Sequence, residues 1–277
     1  MTRVAVVGHV EWIEFARVPK LPASGEIVHA SEVWEAAGGG GGVAAVQLAK
    51  LAGRCDFFTA LAGDAIGARA REVLEAHGVT VHAAPRPGVQ RRGFTHIDAG
   101  GERTITVIGE RIVPHGDDDL PWDLLDEVDG LYFTGGDPAA LRHARRARAL
   151  VATPRADATL VAAGVRLDAL VRSSSDPGEQ LDPACIDPPP DAVVSTDGER
   201  GGTWRSASGE SGRWAPVPLP GPARDTYGAG DSFAAVVAFG LGDGRGLQGA
   251  VELAAKAGAW KLAGTAPYEH QLTSQDL

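Results

Sequence analysis

Cysteine is nearly absent: the chain has two, Cys55 and Cys185, in 277 residues. They lie far apart, with no Cys-x-x-Cys pair and no zinc spacing. That excludes a disulfide scaffold and a zinc module, and suits buried thiols in a reducing compartment. The eight histidines are scattered and form no His-Glu-x-x-His pair, so no protein-only metal site is readable. No apolar run is long enough to span a bilayer, and residues 1–10 lack the core of a signal peptide. The expected location is cytoplasmic, with no membrane partner. Basic excess is missing too: 26 Lys and Arg against 36 Asp and Glu leave a net charge of -10. Such a chain repels phosphate backbones, which argues against a nucleic-acid partner. It does not forbid a phosphate ligand, because a local cradle of backbone amides can outweigh a distant average. There is also no Gly-x-x-x-x-Gly-Lys-[Ser/Thr], which excludes a P-loop.

What the chain does have is glycine, 37 residues of it, together with 18 prolines and 44% hydrophobic content. That implies many turns around one large core, read as a single domain over 1–277. Strand and helix patterns alternate along the chain. Residues 3–8 read as a buried strand ending in glycine, and 43–51 as a helix after the glycine run 38–42. Strands at 56–61, 79–83, 130–134, 159–163 and 192–196 are interleaved with helices at 65–77 and 138–150. Helices at 228–240 and 247–262 close the chain. The alternation predicts an α/β fold with a largely parallel sheet flanked by helices. Two stretches depart from it. Residues 92–98 and 103–108 alternate around a Gly-Gly turn and predict a hairpin, and 12–30 is extended and turn-rich. Together they predict a small β lid from roughly 11–30 and 88–112. A second hairpin is expected around Ser208-Gly209.

The most informative stretch is Asp225-Thr-Tyr-Gly-Ala-Gly-Asp231. Gly228, Ala229 and Gly230 carry almost no side chain, and apolar residues follow at helical spacing. A helix begins here with its first amides uncovered, and free amides plus the helix dipole make an anion site. A carboxylate at such a site competes with a phosphate unless it faces a nucleophile instead. The plain alternative is an N-capping Asp after a glycine turn.

This segment resembles the signature of the PfkB/ribokinase family of carbohydrate kinases, matching it at Asp225, Thr226, Gly228, Ala229, Gly230 and Asp231. Other segments are similar in the same order: Pro22 with Gly25-Glu26, the double glycine Gly38-Gly39, Gly63-Asp64 with Gly67, Gly101-Glu-Arg-Thr104, and Thr196-Asp-Gly198 with Gly201. The resemblance implies a ribokinase-like fold and an ATP- and Mg2+-dependent kinase acting on a small-molecule alcohol. It implies Asp231 as the base for the acceptor hydroxyl and the amides of Gly228, Ala229, Gly230 and Asp231 as the anion hole. Thr196, Gly198, Gly201, Thr226 and Lys256 are then expected on the nucleotide side, and Gly38, Gly39 and Asp231 on the acceptor side. A homodimer through the lid is a further expectation.

Two departures bear on the acceptor. Where the family carries a sugar-binding Asp and Asn, this chain has Ile13 and Val43, and a buried polyol needs polar partners. Glu11 can supply a carboxylate from the same loop or be solvated; Trp12 can stack on a ring or belong to the core. A sugar or sugar-like acceptor is the first expectation. A nucleoside or other ring alcohol, or a non-catalytic ligand sensor on the same fold, are the alternatives. The family's Asn-x-x-Glu, which supports magnesium through water, has no clean copy, and Asp176 or Glu179 fits that slot. The arginines at 142, 145, 146 and 148 read as a solvated face, and Arg91 or Arg92 as exposed residues within reach of a charged acceptor.

Overall fold

The computed structural model describes residues 2–277. Its main sheet has nine strands in the order β13-β12-β11-β10-β9-β8-β1-β4-β5. The central ones are β1 (Val4–Val7), β4 (Cys55–Ala62), β8 (Gly130–Phe133), β9 (Ala149–Ala152) and β10 (Ala169–Ser173). All are parallel. They are short unbroken apolar runs because both sheet faces are covered. Alternation splits each strand between two cores. Val4, Val6 and Tyr132 face one side, with helices α1 (Gly39–Ala52), α5 (Ala229–Gly242) and α6 (Gly246–Lys261). Ala5, Val7, Leu131 and Phe133 face the other, with α3 (Pro138–Ala144) and α4 (Asp157–Ala163). Beyond β11 (Ala192–Thr196), the hairpin β12 (Gly202–Ser206) and β13 (Ser211–Trp214) closes one edge. Helix α2 (Ala65–Ala76) and β5 (Val79–Arg86) close the other.

A second sheet stands apart, in the order β3-β2-β6-β7. Its strands are β2 (Glu11–Arg17), β3 (Glu32–Gly38), β6 (Arg92–Ile97) and β7 (Arg103–Ile108). This is the expected lid, and it runs further than expected: β3 continues to Gly38, directly into α1. The lid is tied to the main sheet at its base by Gln90, whose side chain accepts from the Ala62 amide and donates to the Val10 carbonyl. Asp64 caps α2 and also accepts the Gln90 amide at 2.9 Å.

Three local expectations are corrected. Residues 159–163 form the end of α4, not a strand: Asp157 opens the helix and Gly164 closes it in the left-handed conformation at φ 65°. With Leu160 and Ala163 buried and Val161 exposed, the apolar period there is helical rather than alternating. The helix expected over 138–150 stops at Ala144, and 149–152 is strand β9. The arginines between them are engaged rather than merely solvated, Arg145 with Asp168, Arg146 with Asp126 and Arg148 with Asp129. The glycine run begins a helix at Gly39 rather than preceding one.

Helix α5 lies flat on β8, and glycine makes that contact. A Cβ on Gly130 would come within 2.3 Å of the Ala238 carbonyl oxygen, and one on Gly242 within 2.7 Å of the Gly130 nitrogen. Gly130→Ala is therefore expected to destabilise the fold by about 1–3 kcal/mol or more, read as a lower urea midpoint at unchanged slope. An unaltered midpoint would show that α5 can shift without loss.

Candidate active site

Sheets of this kind place their ligands in the crevice outside the carboxyl ends of their parallel strands. Gly8 and His9 leave β1 there, and Thr134 leaves β8 beside them. A Cβ on Gly8 would meet the Thr134 methyl at 2.3 Å, so the two strand ends are in contact. Into the same crevice run the starts of α1 and α5. Gly228 caps α5 at φ 76° and ψ 5°, with no side-chain cap, and its α-hydrogen side faces Val43, which a Cβ would meet at 2.7 Å. Glycine is required there both by conformation and by space. Ala229 donates weakly to the Thr226 carbonyl at 3.4 Å, and the first full helical bond is from Ser232 to Gly228 at 2.9 Å. Among the described residues no acceptor meets the Gly230 or Asp231 amide. Nothing lies within 4 Å of a Cβ built on Gly230. The open helix start expected from the sequence is present.

Asp231 is enclosed by protein on most sides while part of it stays accessible in the crevice. Its Oδ1 accepts the Tyr132 hydroxyl at 3.2 Å. A Cβ on Gly40 would lie 2.6 Å from Oδ1 and 2.7 Å from the Thr134 hydroxyl. Burial pushes the Asp231 carboxyl above the usual carboxylate range, against the opposing pull of His9, the Tyr132 hydroxyl, Arg103 and Arg155. A raised carboxyl in a crevice is a better base than an exposed one.

The remaining expected residues sort into those the crevice gathers and those it does not. Glu11 opens β2 beside the glycine run. Arg91 donates to it at 2.8 Å and His9 stands 3.7 Å away. Burial alone would raise its carboxyl, but His9 and Arg91 outweigh that and hold it low, so it is an anion. Gly38 and Gly39 sit against Tyr227. A Cβ on Gly38 would meet the phenol oxygen at 2.4 Å, and the Gly39 amide donates to that oxygen at 2.6 Å. Trp12 is in the main core, its ring covered by the Arg69 guanidinium at 4.5 Å, so it presents no face to a ligand. Ile13 and Val43 join Phe15, Ala36, Ile97 and Tyr227 in a small buried cluster under the lid.

On the other side, Thr196 ends β11 and donates to the Arg172 carbonyl at 3.4 Å. Gly198 and Gly201 shape the following turn with φ 53° and 82°. Thr226 is exposed just before the helix. Lys256 is held by the Asp276 carboxylate at 3.3 Å and lies over the Trp260 ring, so a nucleotide contact requires it to leave that pair. Asp176 caps a short turn, accepting the Gly178 amide, and pairs with Arg155. Glu179 accepts the Ser173 amide at 2.7 Å and pairs with Arg155 at 3.1 Å. Among the described residues no group of three His, Cys, Asp or Glu converges as a metal cage. Two carboxylates tied to an arginine suit a metal carried mainly by a ligand's phosphates and held through water.

His9, Gly40, Tyr132, Thr134 and Arg155 were not read from the sequence. Each lies at or just past the C-terminal end of a parallel strand or at a helix start, and that position was the available signal. Arg111, beyond β7, adds a guanidinium without a carboxylate partner among the described residues. It donates to the Arg155 carbonyl at 3.4 Å. Burial and the neighbouring Arg91 pull it below its usual value, and Glu11 opposes them.

A nine-stranded α/β sheet with a separate β lid, and a crevice in which an uncapped helix start meets a carboxylate, define a ribokinase-like phosphotransferase. The chain belongs to the pfkB family of carbohydrate kinases, whose model matches residues 1–174 and 167–271. It is therefore a kinase with an alcohol acceptor. Solved structures agree over the whole length. Ribokinase from Thermotoga maritima superposes with a TM-score of 0.78 at 20% identity, covering 100% of this chain and 98% of that one. Ribokinase from Arabidopsis thaliana, solved with ribose and ATP, gives 0.78 at 18% identity, covering 100% and 97%. Adenosine kinase from Sinorhizobium meliloti gives 0.75 at 20% identity, covering 96% and 95%. No curated protein matches the chain in sequence.

Because the folded value of Asp231 lies above the unfolded one, its carboxyl favours the fold while protonated. As pH rises through the folded value, ionisation inside the crevice weakens the fold. Asp231→Asn removes that penalty. The variant is expected to melt a few degrees higher than the wild type near pH 7, with the gap closing toward about pH 4, by thermal unfolding at both pH values. A lower melting temperature at pH 7 would mean that the carboxylate is not strained by its setting.

Proposed function

We propose that the chain transfers the γ-phosphoryl group of ATP to a hydroxyl of a sugar or sugar-like molecule, with Asp231 as general base. The observation that carries this reading is the α5 start, where two free amides and a raised carboxyl share one crevice. In this mechanism the acceptor oxygen lies against the Asp231 carboxylate and attacks the γ-phosphorus in line. The amides of Gly228, Ala229, Gly230 and Asp231 face the phosphoryl oxygens. Preorganised donors of this kind are typically worth about 3–4 kcal/mol each. Tyr132 keeps Oδ1 oriented, leaving the other oxygen for the proton. Arg155 and Arg111 supply positive charge for a triphosphate that the chain's net charge would otherwise repel. Thr226 lies beside the phosphates, and Thr196, Gly198, Gly201 and Lys256 bound the nucleotide. Asp176, with Glu179 beside it, would support Mg2+ through water, and the ion would supply positive charge to offset that of the terminal phosphates.

On the acceptor side, Glu11, oriented by His9 and Arg91, takes over polar recognition beside Gly38 and Gly39. Ile13 and Val43 are buried under the lid with Tyr227 and offer the acceptor no polar group. The lack of polar groups at 13 and 43 favours a second acceptor class, a nucleoside or other ring alcohol, which needs fewer polar partners per unit of surface than an open polyol. One of the structural neighbours is an adenosine kinase.

Asp231→Asn is expected to cut turnover by about 10²–10⁴-fold or more while ATP still binds. Turnover equal to wild type would remove Asp231 from the role of base. The acceptor class is decided by ADP release from the wild type against a panel of sugars and nucleosides. Release with nucleosides alone selects the ring-alcohol reading, and silence across every alcohol would overturn the activity proposed.

The lid offers a surface for self-association, and we read the protein as a homodimer through it. Strand β7 is an edge strand with every residue exposed, and Ile105, Val107 and Ile108 are uncovered on it. Long apolar edges of this kind pair unless guarded. Val107→Lys is expected to convert a dimer to a monomer in analytical ultracentrifugation; a wild-type monomer at micromolar concentration would end this assignment.

A further inference from the structure

Beneath the start of α5 lies a pair of opposite charges that the mechanism above does not use. Lys261, the last residue of α6, is fully buried, and among the described residues its Nζ meets no hydrogen-bond partner. Asp225, at the head of the motif, is 2% exposed. Its Oδ1 accepts the Tyr227 amide at 2.9 Å, while Oδ2 meets no donor among the described residues. They are farther apart than a direct ion pair, yet the Asp225 charge acts on Lys261. Burial pulls the Lys261 ammonium below its usual value, and the strongest influence opposing burial is the Asp225 charge, ahead of Glu269. Of the other charges facing Lys261, Glu269 is engaged by the Thr265 amide and hydroxyl, and Lys50 donates to the Tyr268 carbonyl. Arg103 lies over the Tyr227 ring. That leaves Asp225 as the principal counter-charge of Lys261.

The backbone ties the same two segments. The Leu262 carbonyl accepts both the Arg224 amide at 2.7 Å and the Asp225 amide at 3.3 Å. The turn entering α5 is therefore held from α6 by two amides and by one long-range charge pair. A methionine of similar length would fill the same space without the desolvation penalty of an ammonium. A charge kept in so costly a place must act on something near it. The group within its reach is Asp225, and Asp225 fixes Tyr227, next to the Gly228 cap.

We propose that Lys261 is a positioning residue for phosphoryl transfer, its fixed charge holding Asp225 and, through it, the turn that presents the Gly230 and Asp231 amides. This deepens the reading of the α5 start as the site for terminal phosphates, on which it rests. Lys261 touches neither acceptor nor nucleotide, so its influence is selective. Ligands that place γ- and β-phosphates on the helix start feel it, and ligands that do not reach that far are indifferent.

The test compares ATP and AMP binding by calorimetry in wild type, Lys261→Met and Lys261→Ala, which needs no knowledge of the acceptor. ATP affinity is expected to fall tenfold or more in both variants, with AMP affinity within twofold of wild type. Ammonium or methylammonium added to Lys261→Ala is expected to restore ATP affinity in a saturable way, while tetramethylammonium at equal ionic strength does not. A role confined to core packing would weaken both nucleotides together and give no rescue. Where the single variants fail to fold, the neutral pair Lys261→Met with Asp225→Asn serves instead, with the same selective loss expected. Wild-type ATP affinity in a folded variant, or equal losses for ATP and AMP, would overturn the proposal. Absence of ADP release by the wild type with every alcohol would instead strike at the function proposed above.

Discussion

Two helices begin in one crevice and approach each other closely there. That close approach is the constraint on which the rest depends. Glycine makes the tightest of these contacts: Gly38 against Tyr227, Gly40 against the Asp231 carboxyl, Gly228 against Val43. A single methyl at any of these would be within 3.0 Å of a neighbour, and the starts of α1 and α5 would have to separate. The glycine run 38–42 is thus a packing surface, cut so that one helix can deliver a carboxylate beside the other. Helix ends usually meet water or a cap. Here Gly228 offers no cap, and the Gly230 and Asp231 amides of α5 meet no acceptor among the described residues. The same fit explains why β3 runs from the lid straight into α1, since the lid and the glycine surface are then one continuous piece.

Charge in the crevice is local and contrary to the whole. The chain carries -10, yet Arg91, Arg103, Arg111 and Arg155 surround Asp231 and Glu11. Two carboxylates there are treated in opposite ways. Glu11 is buried too, but Arg91 and His9 keep it ionised. Asp231 receives only a hydroxyl and more distant charges, so burial wins. Environments that push two acids apart assign them different work. One is a fixed anion suited to binding, the other a group that can exchange a proton.

Much of this was legible in the sequence, for a physical reason. Short apolar strands between glycine turns, and a helix that starts on Gly-Ala-Gly, are written in local composition. The hairpin at 92–97 and 103–108 was readable for the same cause. What escaped was set by contacts between distant residues. Val161 and Leu160 read as a strand because five residues cannot display a helical period, and only the Gly164 stop betrays α4. Strand β3 was hidden because its alternation ends in glycines that belong to the next helix. His9, Tyr132 and Arg155 have no motif of their own. They matter because β1, β8 and β9 are neighbours, and no local pattern states sheet order.

The two apolar departures, Ile13 and Val43, look like separate losses when read along the chain. In space they are one event. Both pack on or beside Tyr227, whose ring meets Phe15 edge-on at 5.4 Å and whose hydroxyl takes the Gly39 amide. A polar pair at 13 and 43 would be buried against that ring without partners, so tyrosine at 227 and apolar residues at 13 and 43 require one another. The phenol also bridges the turn entering α5 to the glycine run at the start of α1. On the proposed function, recognition of the acceptor falls to Glu11 and to the arginines beside it, Arg91 and Arg111. Those groups lie on or beside the lid strands rather than on α1. Under that reading the acceptor is gripped from the lid side, with its hydroxyl toward Asp231.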